Sequence, residues 1–329
     1  MHKVSIIIPV FKVENFIERC VSSVLNQTYR KLEVILIDDC SPDHSLDIAK
    51  QVVEKSEKSR DLNFVFLKHE KNLGLSAARN TGIKAATGDY FFLLDSDDEI
   101  TTICIESLVS LAQKYKNVDI VQGNTWCNKD AYKWLDYSTR NFPEFTSQKE
   151  WIRKQFVNID DKYKECVPVT AWNKLFNRKW FINNNLWYKE GIIHEDEHWR
   201  IMYWKYIDSI AFSTVITYNY YIREGSIVTE NKTKDKKLHS YLEIYRDYLP
   251  TIGNYSNDEF KKVIFRVINI IKKPGNIANI DSLNKHYYEV LKDVRNTKSL
   301  NLRYKIALYY ISLPPQYIKY KVLDLLLKY

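Results

Sequence analysis

The segment "DYFFLLDSDD" (residues 89–98) joins a short apolar run directly to a cluster of carboxylates. The apolar run is typical of a fully buried strand, because it offers no polar face to solvent. Asp95, Asp97 and Asp98 follow at once, and their charges repel one another. A stable fold has no evident use for that repulsion. The segment therefore predicts a buried strand that delivers negative charge to a binding site.

The first 125 residues repeat this alternation of apolar runs and helical patterns. The predicted strands are 4–11, 32–39, 63–69, 89–95 and 119–123. The predicted helices between and after them are 15–27, 44–55, 75–86 and 102–115. Strands that alternate with helices indicate right-handed βαβ units. We therefore expect an α/β fold with a Rossmann-like, mostly parallel sheet flanked by helices.

The remainder of the chain divides by composition into a central and a C-terminal part. Residues 126–229 are aromatic-rich and less regular, whereas residues 230–329 show mainly helical patterns. We expect one large domain over 1–229, with halves at about 1–125 and 126–229. A basic helical region over 230–329 follows it.

The positive charge of the chain lies in its last hundred residues. The formal net charge is +8, yet residues 1–229 hold 30 basic and 31 acidic side chains, against 19 and 10 in residues 230–329. Tyrosines and lysines interleave over 303–329, a pattern that suits peripheral contact with an anionic membrane surface. The same pattern also suits helices that pack on the first domain or form a homodimer. Both interpretations stay open on the sequence.

The cysteines and apolar runs indicate the compartment. The five cysteines are scattered without zinc-ligand spacing, which is typical of reduced thiols in a cytosolic protein. The N-terminal apolar run is too short for a signal-peptide core, and no uninterrupted run reaches 18 residues. We expect a cytoplasmic protein, peripheral on the inner face of the membrane if residues 303–329 bind lipid.

The acidic segments predict a metal and nucleotide site. Residues 37–45 and 95–99 both follow strands, and the carboxyl ends of parallel strands form one ligand-binding edge. Carboxylates without Cys or His suit Mg²⁺ or Mn²⁺, whose remaining ligands are water and phosphate oxygens. The alternative is a solvated acidic loop at a helix N-terminus. Arg79 is either a surface residue or a phosphate contact near this edge.

Four segments in this order resemble the family 2 glycosyltransferases, enzymes with the A-type nucleotide-sugar fold, of the bacterial surface-polysaccharide type. They are "VSIIIPVF" (4–11), "LIDDCSPD" (36–43), "NLGLSAARNTGIKAATGDYFFLLDSDD" (72–98) and "HEDE" (194–197). The resemblance extends from residue 4 to about 227 and leaves the last hundred residues outside. It implies that 1–125 is the nucleotide-sugar half and 126–229 the acceptor half.

The resemblance implies a UDP-sugar donor and an Mn²⁺ or Mg²⁺ cofactor. Asp97 would bind the metal directly and Asp95 would lie nearer the ribose and metal waters, with Asp98 supporting them. Phe11 replaces the tyrosine often found in the family, and Lys12 the asparagine that follows it. The expected nucleotide-sugar contacts are Pro9, Val10, Phe11, Glu14, Asp39, Arg79, Asp95, Ser96, Lys174, Arg223 and Ser226.

The "HEDE" segment matches the family's Glu-Asp motif and implies the catalytic residues. Asp196 would be the base that takes the proton of an acceptor hydroxyl, with Glu195 beside it. Direct displacement inverts the anomeric configuration. The acceptor would be a saccharide or lipid-linked saccharide in capsule, lipopolysaccharide or exopolysaccharide synthesis. The alternative interpretation of the same residues is a helix N-terminus, where acidic side chains are favourable.

Other functions fit the sequence less well. A sugar-phosphate nucleotidyltransferase needs a glycine-rich phosphate loop after the first strand, and residues 9–16 contain no glycine. A phosphohydrolase usually carries its nucleophilic Asp at the end of the first strand, not the fourth. A non-catalytic module that binds membrane or nucleic acid leaves the acidic motifs and Asp196 unexplained, so we expect no nucleic-acid partner. Without a Q-x-x-R-W motif, single-sugar transfer is favoured over polymer extrusion.

Overall fold

The structure is a computed structural model, which describes residues 2–138, 140–157, 166–223 and 234–248. Chain contacts divide the protein into two compact units. The first comprises 1–158, 162–191 and 195–226, and the second comprises 159–161, 192–194 and 227–329. The expected domain boundary near residue 229 and the two halves of the first domain stay predictions.

The first unit is built around one sheet. Its strands among the described residues are β1 (Val4–Val10), β2 (Leu32–Asp38), β3 (Asn63–Lys68), β4 (Tyr90–Leu93), β5 (Glu99–Ile100), β6 (Ile120–Cys127), β7 (Phe145–Thr146), β8 (Lys174–Asn177) and β9 (Ile210–Tyr220). Their order is β3-β2-β1-β4-β8-β6-β9-β5, and β7 pairs with β9.

The strand directions confirm the predicted α/β class. Strands β3, β2, β1 and β4 are parallel neighbours, and β6 runs parallel to β9. Strand β8 is antiparallel to both β4 and β6, and β5 and β7 are antiparallel to β9. Strands β8 and β9 were not predicted from the sequence. Strand β8 has only four residues, but the β-branched and aromatic residues of "IAFSTVITYNY" in β9 were a readable signal.

The described helices flank this sheet or lie in the second unit. They are α1 (Ile17–Leu25), α2 (Ser45–Lys55), α3 (Leu75–Ala85), α4 (Cys104–Tyr115), α5 (Lys149–Val157), α6 (Arg178–Asn183), α7 (Glu195–Tyr203) and α8 (Lys234–Tyr248). Of the described helices, only α8 belongs to the second unit. Among the described residues no helix combines the length and apolarity needed to span a bilayer. Residues 303–329 and most of the expected C-terminal helices lie outside the described residues.

The central strands are buried on both faces, as their continuous apolar sequences require. All seven residues of β1 and all seven of β2 are buried. Successive side chains of a strand point to opposite faces. Ile6 and Ile8 therefore join the core formed with α1 and α4, whereas Ile7 faces Gly82 of α3.

The strand order brings the acidic segments to one edge, as the sequence predicted. Strand β1 lies between β2, which ends at Asp38, and β4, which is followed by Asp95. The loops after β1 and β2 are also joined to each other. The N–H of Lys12 donates to Oγ of Ser41 over 2.8 Å, and the N–H of Val13 donates to Oγ of Ser45 over 2.9 Å.

Close packing of α3 on the sheet generates a stability prediction. A Cβ at Gly82 would lie 2.3 Å from Cγ2 of Ile7 and 2.8 Å from Cδ1 of Ile37. Overpacking costs about 1–3 kcal/mol, and these two contacts outweigh the gain of about 1 kcal/mol in helix propensity. We expect Gly82→Ala to lower the free energy of unfolding by about 1–2 kcal/mol in urea denaturation.

The matched control for Gly82→Ala is a substitution on the exposed side of the same helix. Ala85 is exposed at the end of α3, so Ala85→Ser should change the unfolding free energy by less than about 0.5 kcal/mol. Equal denaturation midpoints for wild type and Gly82→Ala would contradict the packing described here.

Candidate active site

Tyr218 of β9 holds the acidic turn that follows β4. The backbone N–H of Asp95 donates to its phenol oxygen over 3.2 Å, and its O–H donates to Oδ2 of Asp98 over 2.9 Å. The Tyr218 ring is fully buried and stacks on Trp172 at 4.5 Å between centroids. Tyr218 therefore fixes both ends of the turn. Tyr218 was not predicted from the sequence, because its contacts span 120 and 123 positions.

Asp98 is the buried member of the acidic cluster. Its side chain accepts hydrogen bonds from the Tyr218 O–H and, over 2.9 Å, from the N–H of Tyr221, and the residue is only 1% exposed. Burial raises the pKa of Asp98 well above its usual range, and the Asp97 and Asp95 carboxylates add to that rise. Asp98 thus supports the turn from behind, whereas the side chains of Asp95 and Asp97 are 24% and 22% exposed.

Arg79 of α3 joins the acidic turn to the start of α7. One terminal nitrogen donates to Oδ1 of Asp95 over 2.7 Å, and the other donates to Oε1 of Glu195. Arg79 is only 2% exposed. Burial alone would lower the pKa of Arg79, but the Asp95 and Glu195 carboxylates raise it above its usual range, so the guanidinium stays charged. Both terminal nitrogens of Arg79 already bind carboxylates. The expected contact of Arg79 with the nucleotide stays a prediction.

Asp97 is paired with Arg223, which lies three residues beyond the end of β9. Nε of Arg223 donates to Oδ2 of Asp97 over 2.8 Å. The side chain of Arg19 contacts the backbone of Asp97, since its NH2 group donates to the Asp97 carbonyl over 2.7 Å. Nε of Arg19 pairs with Glu99 at 2.7 Å. The carboxylate of Asp97 is therefore paired with Arg223 and partly exposed to solvent.

The acidic turn fits a divalent ion that arrives with its own ligands. Within the part of the chain that the structure describes, no group of three or more His, Cys, Asp and Glu side chains could hold a metal. Mg²⁺ needs only one or two carboxylates when phosphate oxygens and water complete its shell. The partly exposed carboxylates of Asp97 and Asp95 meet that requirement with hard oxygen ligands. They do not form a closed, all-protein metal site.

Asp39 lies at the end of β2, where its carboxylate organises the loop before α3. It accepts the N–H of Leu73 over 2.8 Å and the N–H of Gly74 over 2.7 Å, and it contacts Nδ1 of His69 at 2.7 Å. Nε2 of His69 lies 3.0 Å from Oγ1 of Thr81. These contacts were not foreseen. The expected contact between Asp39 and a uracil ring stays a prediction.

The end of β1 offers an aromatic ring to the same edge. Pro9 and Val10 are buried in the strand, whereas Phe11 is 38% exposed just beyond it. Lys12 follows with a φ of 55°, in the left-handed region where the chain turns away. The Glu14 carboxylate accepts the N–H of His44 over 3.2 Å. The expected packing of Phe11 on a base stays a prediction.

Asp196 lies in the first turn of α7, beside the Arg79 partner Glu195. Its Oδ1 accepts the N–H of Glu197 over 2.8 Å. Burial raises the pKa of Asp196 to about 7, and the Glu195 carboxylate adds to the rise, whereas Arg79 opposes it. A carboxylate with a pKa near neutrality is suited to accept a proton from a reacting group.

Lys174 of β8 is buried close to Asp196. Its Nζ donates to the carbonyl oxygen of Pro168 over 3.0 Å and to that of Thr170. Burial lowers the pKa of Lys174 to about 7, a shift that the Asp196 carboxylate opposes and Arg200 increases. Lys174 thus holds the loop before β8, and its expected contact with the donor stays a prediction.

Two further expected contacts complete the set. Ser96 lies in the acidic turn and is 6% exposed. Ser226 lies outside the described residues. Among the expected residues that are described, the structure brings Arg79 into contact with Asp95 and Glu195, and Arg223 into contact with Asp97.

Comparison with known proteins gives a family match over more than half of the chain. Residues 5–184 match the family model described as Glycosyl transferase family 2. Uncharacterized glycosyltransferase YibD of Escherichia coli (strain K12) is 26% identical over 319 residues, which is 90% of this chain and 89% of YibD. Uncharacterized glycosyltransferase EpsJ of Bacillus subtilis (strain 168) is 42% identical over 190 residues. That match covers 57% of this chain and 52% of EpsJ, so the chain spans about half of EpsJ.

A third relative has a more specific name. It is the GalNAc(5)-diNAcBac-PP-undecaprenol beta-1,3-glucosyltransferase of Campylobacter jejuni subsp. jejuni serotype O:2, 27% identical over 301 residues. The match covers 86% of this chain and 94% of that relative.

Solved structures agree with the fold. S. aureus TarS in complex with UDP-GlcNAc is similar with a TM-score of 0.62 and 18% identity, over 94% of this chain and 86% of that one. The mannosyltransferase PcManGT of Pyrobaculum calidifontis, in complex with GDP-Man and Mn2+, has a TM-score of 0.52 and 15% identity, over 99% and 85%. At these identities the likeness shows the fold alone.

The buried position of Arg79 generates a stability prediction. Replacing it with methionine would leave Asp95 and Glu195 without their shared cation, and breaking a buried ion pair in this way costs about 3–5 kcal/mol. We expect Arg79→Met to lower the free energy of unfolding by about that amount in urea denaturation.

The matched variant for this test removes one of the two stranded charges. Arg79→Met combined with Glu195→Gln should recover part of the loss, because a neutral amide is cheaper to bury than an unpaired carboxylate. A loss below about 1 kcal/mol for Arg79→Met alone would show that the Arg79 contacts do not stabilise the fold.

Proposed function

Because the chain belongs to glycosyl transferase family 2, we propose that it moves one sugar, a hexose, from a UDP-sugar to a hydroxyl group of a saccharide or lipid-linked saccharide. Membership establishes a glycosyltransferase that uses nucleotide sugars. The proposal adds UDP as the carrier, a divalent metal and inversion at the anomeric carbon.

The observation that carries this proposal is the double ion pair of Arg79. It joins Asp95, in the turn expected to bind the metal and the donor, to Glu195, the neighbour of the expected base. The two acidic motifs lie about 100 positions apart in the sequence and are separated by one guanidinium in the fold. We propose that Arg79 positions the donor motif and the base relative to each other.

The donor part of the proposal rests on the edge formed by β1, β2 and β4. Phe11 is exposed there and would pack on the uracil ring, while Asp39 would face the base from the end of β2. Asp39 already accepts the N–H groups of Leu73 and Gly74, so it would contact the base through its remaining acceptor capacity. The UDP-GlcNAc bound by TarS, which shares the fold, supports UDP as the carrier.

The metal part of the proposal rests on the partly exposed carboxylates of the acidic turn. Asp97, with Asp95 beside it, would hold Mn²⁺ or Mg²⁺, and the Mn2+ in the PcManGT complex supports such an ion. When bound, the ion acts as a Lewis acid that stabilises the negative charge of the departing diphosphate.

The chemical step is a single displacement assisted by Asp196. The acceptor oxygen forms a bond to the anomeric carbon while the bond from that carbon to the diphosphate oxygen breaks. The electron pair of that bond leaves with UDP, and the hydroxyl proton passes to the carboxylate of Asp196. Attack from the side opposite the diphosphate inverts the configuration. Burial and the Glu195 carboxylate raise the pKa of the base, and Arg79 limits that rise.

The acceptor and its location form the most general part of the proposal. The name of the Campylobacter relative specifies an undecaprenol-linked acceptor, which supports a lipid-linked saccharide here. An enzyme that acts on such a lipid would work at the cytoplasmic face of a membrane, with residues 303–329 as the contact and capsule, lipopolysaccharide or exopolysaccharide as the product. The alternative proposal for the C-terminal region is that it forms a homodimer interface.

Ligand binding tests the proposal directly. A ligand that binds only the folded state raises the melting temperature, and binding at one hundred times Kd adds about 2.7 kcal/mol. We expect UDP with Mn²⁺ to raise the melting temperature by several degrees, and UDP alone to raise it less.

Two controls sharpen this thermal shift. Asp97→Asn should lose the additional shift that Mn²⁺ gives, while Asp130→Asn, an exposed carboxylate with a side chain 92% accessible, should keep it. The absence of a shift with any nucleoside diphosphate and metal would refute the donor assignment. A UDP-release screen across UDP-sugars with lipid-linked acceptors then identifies the substrates.

The pKa of Asp196 predicts the pH dependence of transfer. The base works only when deprotonated, so its active fraction rises tenfold per pH unit below its pKa and levels off above it. We expect kcat/KM to rise up to about pH 7 and then to reach a plateau. The measurement is UDP release at limiting donor and acceptor, from pH 5 to 9.

The variant that accompanies the pH profile is Asp196→Asn. It should abolish transfer and leave the UDP thermal shift intact, because the residue contacts the acceptor and not the nucleotide. Asp130→Asn should reproduce the wild-type profile. Wild-type rates in Asp196→Asn, or a profile with no acid limb near pH 7, would place the base elsewhere.

A further inference from the structure

We propose that Arg223 is the resident counter-cation of Asp97 and gives up this carboxylate to the divalent ion when metal and nucleotide bind. The inference rests on the proposed function, because it takes Asp97 as the metal ligand. It adds an exchange of partners at Asp97, in which Arg223 and the metal compete for the same carboxylate.

The partners of the acidic turn show why Arg223 is the cation that must leave. Asp95 is neutralised by the buried Arg79, and Asp98 is held by Tyr218 and the Tyr221 N–H. In the described part of the chain, the cation on the Asp97 carboxylate is Arg223, at 2.8 Å. A metal that binds Asp97 therefore meets this ion pair first.

The ion pair is accessible and easily displaced. The side chains of Asp97 and Arg223 are 22% and 24% exposed, in contrast to the 2% of Arg79. Ion pairs near the surface change an equilibrium constant by only about 1.4- to 5-fold. A divalent ion accompanied by a diphosphate can replace such a contact, whereas it could not displace Arg79 without leaving two carboxylates unpaired.

The backbone before Arg223 is fixed, which confines the exchange to its side chain. The N–H of Tyr221 donates to Asp98 over 2.9 Å, and the N–H of Ile222 donates to Oδ1 of Asn128 over 3.0 Å. The Arg223 guanidinium lies over the ring of Phe16 at 4.8 Å. Rotation of the side chain about this anchored backbone releases Asp97 while β9 keeps its place.

The released guanidinium has a new partner in the diphosphate. Arginine matches phosphate oxygens with its planar fork of donors, and the diphosphate brings negative charge to the site together with the metal. The metal alone must displace Arg223 without offering it another anion. Metal and nucleotide should therefore bind with positive coupling, and each should raise the affinity of the other by the same factor.

Mn²⁺ binding without nucleotide is the measurement that isolates the exchange. The electron paramagnetic resonance signal of free Mn²⁺ gives its affinity for wild type, Arg223→Gln and Arg223→Lys. We expect Arg223→Gln to bind Mn²⁺ about two- to fivefold more tightly than wild type, since the competing cation is gone. Arg223→Lys keeps the charge and should lie closer to wild type.

The nucleotide gives the opposite result in the same variant. With Mn²⁺ saturating, Arg223→Gln should bind UDP about tenfold or more weakly, because the diphosphate loses a charged hydrogen bond. A loss of structure would weaken both ligands. The opposite signs therefore separate the exchange from a folding defect, and urea denaturation of each variant checks its stability.

The matched control removes a neighbouring positive charge that does not touch the carboxylate. Arg19 contacts the Asp97 carbonyl and pairs with Glu99, so Arg19→Gln makes the same change in charge beside the same turn. Its effect on Mn²⁺ affinity should be smaller than that of Arg223→Gln. An equal rise in Mn²⁺ affinity in both variants would show that loss of any nearby positive charge strengthens Mn²⁺ binding, and this result would overturn the exchange.

The remaining outcomes distinguish this inference from the proposed function. If wild type binds Mn²⁺ with UDP, Asp97→Asn does not, and Arg223→Gln leaves Mn²⁺ affinity unchanged, the exchange is wrong and the metal site stands. If wild type binds no Mn²⁺ even with UDP, the metal-dependent function fails and the exchange fails with it.

Discussion

The buried guanidinium of Arg79 is the interaction on which the rest of the site depends. It is 2% exposed and holds Asp95 with one nitrogen and Glu195 with the other. A buried charge is tolerated only when it is paired and hydrogen-bonded, so all three groups must be present together. Helix α3 provides the Arg, the turn after β4 provides one carboxylate, and α7 provides the other. Arg79 therefore sets the distance between the acidic turn and the neighbour of Asp196.

The acidic turn is stable because each carboxylate has a different kind of partner. Asp95 has a buried cation, Asp98 has a phenol and a backbone N–H, and Asp97 has a partly exposed cation. Burial raises the pKa values of Asp95 and Asp98, and repulsion from the neighbouring carboxylates adds to the rise. The proposed exchange concerns the Asp97 partner Arg223, which is partly exposed, whereas the Asp95 partner Arg79 is buried.

The sequence was sufficient for the elements whose signals are local and insufficient for contacts made across the sheet. The buried runs of β1, β2 and β4 and the amphipathic pattern of α4 were readable because burial fixes residue type along a short window. The edge that gathers Asp39, Asp95 and Asp97 followed from the parallel order of the strands. Tyr218 could not be assigned to Asp98, because the strand order β4-β8-β6-β9 that brings it near is decided by long-range pairing. The same limit concealed the double role of Arg79.

The end of β9 couples the late part of the chain to the acidic turn. Tyr218, Tyr221 and Arg223 are near neighbours in sequence, and together they contact Asp95, Asp97 and Asp98 more than 120 positions earlier. Two of these contacts are made by the buried phenol of Tyr218 and the backbone N–H of Tyr221. A change of charge at Asp97 leaves both in place. The third contact is the ion pair between Arg223 and Asp97, and any other cation that binds Asp97 must compete with Arg223. On the proposed exchange, Tyr218 and Tyr221 keep this segment attached to the acidic turn, and the Arg223 side chain is the part that responds to a metal at Asp97.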